Sequence, residues 1–261
     1  TIELGGKVVS KVTNEAVVPT TIDATATSTA STTTTTTTTT TTVTPNFTAT
    51  TGKDLLSGTD ADEVFNAHVG TNTVTGALAD TYQSVDVIDG LGGTDTLNIS
   101  ISSAGAAVGP VVSGVEKINF TGYVAQALDM SNTSGLTGFT NLRSIVATSL
   151  TNASELFGLD ITNVNNQSTT ITYSATVNTS LTDTINIGLN NATNQAQVTL
   201  TDGTNEIENI IVTTTGAAST IDLGGTAING ATSLTVKGDQ DFSFDATDNT
   251  TAMAGLTTLD A

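Results

Sequence analysis

The chain of 261 residues carries 25 acidic residues against six Lys and Arg, a formal net charge of −19 at pH 7, with one histidine and no cysteine. Binding to phosphate backbones depends on Lys and Arg, so this charge balance argues against a nucleic-acid partner. No apolar run approaches the roughly 20 residues that a membrane-crossing helix needs, so we expect no transmembrane segment.

Threonine occupies 59 positions, more than a fifth of the chain. Because Thr is β-branched, it loses side-chain freedom in a helix and fits well on a pleated strand. Glu, Lys and Arg, which favour helices, are scarce. The composition therefore predicts an all-β protein. Its Ile, Val and Leu are spread evenly, which suits a long, thin core.

The first 24 residues are predicted to form an extended N-terminal segment with one or two short strands. Residues 25–46 are Thr-rich and include eleven consecutive threonines, Thr32 to Thr42. Such a tract has too little apolar surface to fold alone, which predicts a linker. An O-glycosylated tract and a strand ordered against another chain are the alternatives, since poly-Thr has a high strand propensity.

From Phe47 to Ala261 the sequence consists of short apolar alternations, such as Val115–Phe120 and Ile185–Leu189, separated by Gly, Asn and Asp. Each predicts a strand of three to six residues. Comparable apolar positions recur at Ile118, Ile145, Ile171, Ile210, Leu234 and Leu259. This recurrence predicts a β-solenoid over residues 47–261 with coils of about 25 residues, which bury their apolar faces by stacking. A β-sandwich is the alternative.

Two segments, Gly52–Phe65 and Asp86–Leu97, combine glycine with aspartate at short intervals. Calcium prefers six to eight oxygen ligands from carboxylates and carbonyls, and glycine lets a backbone turn tightly around them. The two segments are therefore predicted to be loops that bind Ca²⁺. The candidate metal-binding residues are Asp54, Asp60, Asp62, Glu63, Asp86, Asp89, Gly93 and Asp95.

The stretch Gly90–Leu97 resembles the nonapeptide G-G-x-G-x-D-x-U-x of calcium-binding repeats-in-toxin proteins. Gly93 and Asp95 match its third glycine and its aspartate, while Leu91 replaces the second glycine. Over residues 48–261 the Thr/Ala/Gly-rich body resembles Gram-negative surface-layer proteins and related type I secreted proteins. The first 45 residues have no counterpart in that pattern.

The resemblance implies secretion without an N-terminal signal, an extracellular cell-surface location and calcium-dependent assembly. The implied partners are further copies of the chain in a lattice or filament, with a cell-surface polysaccharide as a candidate anchor. The chain stops at Ala261 in the middle of a repeat, so we expect the natural protein to continue beyond it.

An enzyme is not expected. The single histidine, His68, cannot supply the two histidines of an H-E-x-x-H zinc helix and lies next to no nucleophile-elbow sequence. We predict a structural subunit of a self-assembling extracellular surface layer or filament that calcium stabilises. A calcium-dependent secreted adhesin is the alternative, which the scarcity of Trp, Tyr and Arg disfavours.

Overall fold

The structure is a computed structural model that describes residues 3–4, 7–8, 44–174, 177, 180, 182–193, 196–201, 207–244 and 257–260. Contacts divide the chain into two compact units, Thr1–Val43 and Thr44–Ala261. In the first unit, β1 (Glu3–Leu4) pairs antiparallel with β2 (Lys7–Val8). The predicted Thr-rich linker lies outside the described residues, apart from its last three positions.

Short parallel strands make up most of the second unit. A 3-10 turn at Thr226–Ile228 is the helical element among the described residues, where no helix is long and apolar enough to span a membrane. The strands are, in chain order, β3 (Asn46–Thr48), β4 (Leu55–Thr59), β5 (Val64–Ala67), β6 (Gly70–Thr71), β7 (Leu78–Ala79), β8 (Val87–Leu91), β9 (Thr96–Ile101), β10 (Val111–Ser113), β11 (Lys117–Gly122), β12 (Ala127–Asp129), β13 (Thr133–Ser134), β14 (Gly138–Leu142), β15 (Thr148–Ala153), β16 (Gly158–Thr162), β17 (Thr169–Tyr173), β18 (Thr184–Asn190), β19 (Ala196–Thr201), β20 (Asn209–Thr214), β21 (Ser219–Gly224), β22 (Ser233–Gly238), β23 (Phe242–Phe244) and β24 (Thr258–Asp260).

All of these strands except β6 and β7, which pair antiparallel with each other, stack into three parallel sheets. The long sheet has the order β24-β22-β20-β18-β16-β14-β11-β9-β5-β3, the second sheet β12-β15-β17-β19-β21-β23, and the short sheet β13-β10-β8-β4. Successive coils lie about 24 residues apart along the chain, which confirms the predicted β-solenoid and its period. The alternative β-sandwich is wrong, because chain neighbours do not pair as antiparallel hairpins in these sheets.

An apolar column runs through the long sheet and forms one wall of the core. Strand pairing places its members in register: Phe47, Phe65, Leu97, Ile118, Phe139, Leu159, Ile187, Val212 and Val236. The rings of Phe47 and Phe65 stack with their centroids 5.0 Å apart. Burying one Leu, Ile or Phe side chain contributes about 1.5–3 kcal/mol. Stacking of coils is therefore what makes this thin core stable.

The predicted register was only partly right. Ile210, Leu234 and Leu259 do share one column of the long sheet. Ile145, however, lies at a corner and is 64 % exposed, and Ile171 belongs to the second sheet. The sequence period was readable because successive coils are about 24 residues apart, but each coil contains apolar strands on different faces, and counting along the chain mixed them.

Asparagine side chains enable the corner that follows the long sheet. Asn163 and Asn191 occupy this corner in successive coils, both with φ of 55°, and Arg143 precedes them with φ of 56°. Asn tolerates this left-handed conformation better than most residues. The Asn191 amide also donates to Asn163 Oδ1 at 2.9 Å. The Asn-rich composition is thus explained in part by the turns of the solenoid.

A buried polar pair interrupts the core. Asn141 is fully buried, and its amide nitrogen donates to Thr169 Oγ1 at 2.8 Å across the two sheets. Asn141 Oδ1 and the nearby buried Thr148 Oγ1 have no hydrogen-bond partner. An unsatisfied buried acceptor costs about 1–3 kcal/mol. This pair is therefore a weak point in the stack.

We expect the double variant Asn141→Val with Thr169→Val to raise the free energy of unfolding by about 1 kcal/mol, because it removes the unsatisfied Asn141 oxygen without leaving the buried Thr169 hydroxyl unpaired. Urea unfolding measures the change. Ile161→Asn, which places an amide at the neighbouring position of the same column, should destabilise the protein by at least about 2 kcal/mol. Destabilisation by the double variant would show that the Asn141–Thr169 bond is worth more than the orphaned oxygen costs.

Candidate functional site

Three carboxylates stack at one corner of the solenoid, which we call the acidic corner: Glu63, Asp95 and Glu116. Each stands immediately before a strand of the long sheet, β5, β9 or β11. Those strands pair in register, so the three acids lie one above another in successive coils. Two of the three, Glu63 and Asp95, were predicted as metal ligands, whereas Glu116 was not.

Two acids of this corner, Asp95 and Glu116, each accept a backbone hydrogen bond from the coil before. The Glu63 N–H donates to Asp95 Oδ1 at 2.6 Å, and the Asp95 N–H donates to Glu116 Oε2 at 2.7 Å. Glu63 in turn accepts the N–H of Thr59 at 3.0 Å and its hydroxyl. Bonds from N–H groups to carboxylates are among the strongest in proteins. The acidic corner therefore joins three coils through hydrogen bonds to carboxylates.

Glycine is required where these carboxylates fold inward. A Cβ at Gly90 would lie 2.3 Å from Asp95 Oδ2 and 1.9 Å from the Gly114 carbonyl oxygen. A Cβ at Gly58 would lie 2.5 Å from Glu63 Oε2. This close approach gives a physical reason for the sequence spacing, in which glycine precedes the acid by five residues in both loops.

Asp95 is the most constrained of the three acids. Its side chain is fully buried and its Oδ2 has no hydrogen-bond partner. Burial raises the pKa of Asp95, an effect that the Glu63 N–H opposes and that the charges of Glu63, Glu116 and Asp62 reinforce. Folding therefore favours the protonated form of this carboxyl relative to the unfolded chain.

A second pair of acids joins coils at the start of the short sheet. Asp86 is buried, and its two oxygens accept the N–H groups of Asp54 at 2.9 Å and Gln83 at 2.8 Å. Burial raises the pKa of Asp86, while these two hydrogen bonds lower it. Asp54 accepts the N–H and the hydroxyl of Thr50. Both predicted ligands, Asp54 and Asp86, thus accept hydrogen bonds from other groups of the chain.

Of the remaining predicted ligands, Asp60, Asp62 and Gly93 lie in loops between the short and long sheets, whereas Asp89 lies within β8. Asp60 and Asp62 are exposed, and Asp62 Oδ1 accepts the Thr94 N–H at 2.8 Å. Gly93 has φ of 109°, and a Cβ there would lie 2.2 Å from the Ala61 carbonyl oxygen. Asp89 accepts the Ser113 hydroxyl at 3.0 Å. The loop that holds Asp62 therefore contacts the loop that holds Gly93 in the next coil.

The described residues do not bring three His, Cys, Asp or Glu side chains together as a metal-binding group. Most of the predicted calcium ligands already accept N–H groups of the chain, and those lone pairs are not available to a cation. This arrangement does not by itself fit a coordinated calcium ion. The predicted ligand set remains a prediction.

An asparagine ladder, which the sequence analysis missed, runs along the outside of the long sheet. Asn66 donates to Asn46 Oδ1 at 2.6 Å, Asn98 to Asn66 at 3.0 Å and Asn119 to Asn98 at 2.9 Å. Its sequence signal is an acid, any residue, an apolar residue and Asn, which recurs at 63–66, 95–98 and 116–119. One motif therefore encodes the acidic corner, the core column and the ladder together.

His68 forms the contact that most resembles a catalytic pair. Its Nδ1 lies 3.4 Å from Ser100 Oγ, which also accepts the Val69 N–H at 3.0 Å. Ser100 is buried, however, and a nucleophilic hydroxyl must be reached by its substrate. The pair is typical of a structural hydrogen bond at a corner.

Comparisons with protein-family models, with curated proteins and with solved structures find no match to this chain.

We expect Asp95→Asn to stabilise the protein at pH 7 by about 1 kcal/mol, because the amide keeps an oxygen for the Glu63 N–H and removes a buried charge. The folded-state pKa of Asp95 is raised, so in the parent protein Asp95 lowers the free energy of unfolding as pH rises through that pKa. The variant should lack this part of the pH dependence above about pH 4.

Chemical denaturation at several pH values in a chelating buffer measures both effects. Asp60→Asn, an exposed acid in the adjoining loop, is the control and should leave the curve unchanged. If Asp95→Asn were less stable than the parent at pH 7, the ionised carboxylate would be a net stabiliser and the account of the acidic corner would be wrong.

Proposed function

We propose that the chain is a structural subunit of a self-assembling extracellular layer or filament. The observation that carries this proposal is the continuity of the long sheet, in which each coil adds one parallel strand to the last. Backbone pairing of this kind accepts a further strand at any open edge. Among the described strands, β3 pairs only with β5, and β24 only with β22.

The composition of the surface supports the same proposal. The outward rows of the long and second sheets are dominated by Asn, Thr and Ser, which suit repeated backbone contact better than recognition of a small substrate. A cavity in the described part of the chain is small and lined by Met130, Leu136, Glu155 and their neighbours. Enzymes usually hold substrates in much larger clefts. A catalytic role is therefore not part of the proposal.

In the proposed assembly, calcium acts as a counterion between copies of the chain. With a net charge of −19, copies of the chain repel one another, and bound divalent cations would relieve that repulsion. Because the described acids do not form a coordination group, this role rests on the exposed carboxylates as a set. Secretion, the cell-surface location and a polysaccharide anchor rest on the resemblance to surface-layer and type I secreted proteins.

A calcium-dependent adhesin is the second candidate. Tyr123 and Ile145 are 50 % and 64 % exposed at neighbouring corners, and Ile145 follows closely after Arg143, the single arginine of the chain. Tyr and Arg are enriched at the energetic centres of protein interfaces. An adhesin would bind a foreign surface through such a patch while remaining monomeric.

We expect calcium to drive assembly. Electron microscopy and sedimentation of the purified chain should reveal layers or filaments in calcium and dispersed protein in a chelator. Sodium chloride at matched ionic strength serves as the control, because screening alone weakens repulsion too. If the protein remained monomeric in calcium even at high protein concentration, the proposed function would be wrong and the adhesin would be favoured.

We expect Thr48→Pro to block end-to-end assembly. The N–H of Ala49 and the carbonyl of Pro45 point toward β5, so the alternating N–H of Thr48 points to the outer edge of β3. Proline there removes a donor for a further strand but no existing bond. Thr48→Val, which keeps the N–H, should assemble like the parent.

Thermal melting of both Thr48 variants should match that of the parent within about 3 °C, since neither removes a bond of the folded chain. If Thr48→Pro melted normally and still assembled end to end, pairing at this edge would not be the route of assembly.

A further inference from the structure

One corner of the solenoid carries a dipeptide that occurs once in the chain, Asn229–Gly230. It follows the 3-10 turn Thr226–Ile228 and precedes β22. Asn229 is exposed, whereas Ile228 and Ala231, on either side of the dipeptide, are fully buried. The dipeptide is therefore a short exposed link between two fixed points of the core.

The side-chain amide of an asparagine reacts with the backbone nitrogen that follows it. That nitrogen gives up its proton and bonds to Cγ, the Cγ–Nδ2 bond breaks, and ammonia leaves with the proton, which produces a five-membered succinimide ring. Water then opens the ring at either carbonyl carbon and gives aspartate or isoaspartate. Asn is for this reason a thermolabile residue. A side chain on the following residue hinders the attack, and Gly230 has none.

The structure leaves both reacting groups of this dipeptide accessible. No hydrogen bond from another described residue holds the Asn229 side-chain amide or the Gly230 N–H. Asn229 has φ of −62° and ψ of −29°, and rotation about ψ brings its Cγ toward the Gly230 nitrogen.

Little structure opposes that rotation. It disturbs the end of a single 3-10 turn, where the Asn229 N–H donates to the Thr226 carbonyl at 3.2 Å and the Ala231 N–H to the Ile228 carbonyl at 3.1 Å. Hydrogen bonds of such turns have poorer geometry than those of α-helices. The corner therefore permits ring closure without unfolding of a strand.

Comparable positions elsewhere are protected by the fold. Asp89–Gly90, which has the same following glycine, lies inside β8 and is paired on both sides, with β4 and β10. Asn191 is exposed at a corner, but Ala192 follows it, and the Ala192 N–H donates to Ser219 Oγ at 3.2 Å. Asn229 combines exposure, a following glycine and a place outside the strands.

We propose that Asn229 is a modification site, at which the folded chain converts its own side-chain amide to aspartate and isoaspartate through a succinimide. The only co-reactant is water. This inference is independent of the proposed function, because it concerns the chemistry of a single chain.

The isoaspartate product changes the length of the backbone. Its chain passes through Cβ and Cγ, which adds one backbone atom between the buried residues Ile228 and Ala231. Directly after them, β22 is held in register by β20 and β24. The added atom has little room at this corner, so we expect isoaspartate to weaken the stack there. Aspartate keeps the backbone length and adds only a negative charge.

Incubation of the purified chain at neutral and at mildly alkaline pH tests the site. Peptide mapping with mass spectrometry should show that the peptide with Asn229 gains the mass of an amide-to-acid exchange and elutes as two products. The conversion should be faster at alkaline pH, because the attacking nitrogen must lose a proton. A peptide with Asn191 is the internal control, and Asn229→Gln, which keeps an amide on a longer side chain, should stay unmodified. Equal conversion at Asn191 and Asn229, or none at Asn229, would overturn the proposal.

Thermal melting of the converted protein tests the effect on the stack. Anion exchange separates converted chains from the parent, and peptide mapping gives the isoaspartate content of each fraction. Chains with isoaspartate should melt at least about 3 °C below the parent. Asn229→Asp, which carries the added charge without the added atom, should melt like the parent. If isoaspartate-containing chains melted like Asn229→Asp, the inferred strain at this corner would be wrong.

Discussion

Pairing between successive coils is the constraint on which this structure depends. Each strand of the long sheet is too short to bury its apolar residues alone, and it does so only when a strand of the next coil lies beside it in register. Core, corners and ladder then repeat because the backbone repeats. The Phe47–Val236 column and the acidic corner are two consequences of the same stacking.

The acidic corner connects successive coils through carboxylates that would otherwise be costly to bury. Buried carboxylates are costly unless they are paired or hydrogen-bonded. Here Asp95 and Glu116 accept the N–H of the acid in the coil before, so Asp95 is bonded to both the earlier and the later coil. Gly90 permits this because any side chain there would collide with the carboxylate. Charge, glycine and strand pairing thus support one another at a single corner.

The sequence was sufficient for the all-β class, the solenoid and its period, since these depend on composition and on the regular spacing of apolar residues. It was not sufficient for the register: Ile145 has the same local pattern as Ile118, yet a corner exposes one and the long sheet buries the other. The Gly–Asp segments were predicted as loops, yet each also contains a strand of the short sheet, β4 or β8. The N–H groups of Asp54 and Glu63, which Asp86 and Asp95 accept, belong to other coils, and no local pattern reveals them.

The asparagine ladder gives the molecule a direction. In each of its three bonds the amide nitrogen belongs to the later coil and the oxygen to the earlier one, so the amide dipoles are aligned from Asn119 toward Asn46. The two ends of such a series are not equivalent: one offers a donor and the other an acceptor. Any stack that prolonged this series would be polar, with all its members facing the same way, and would grow from two chemically distinct tips.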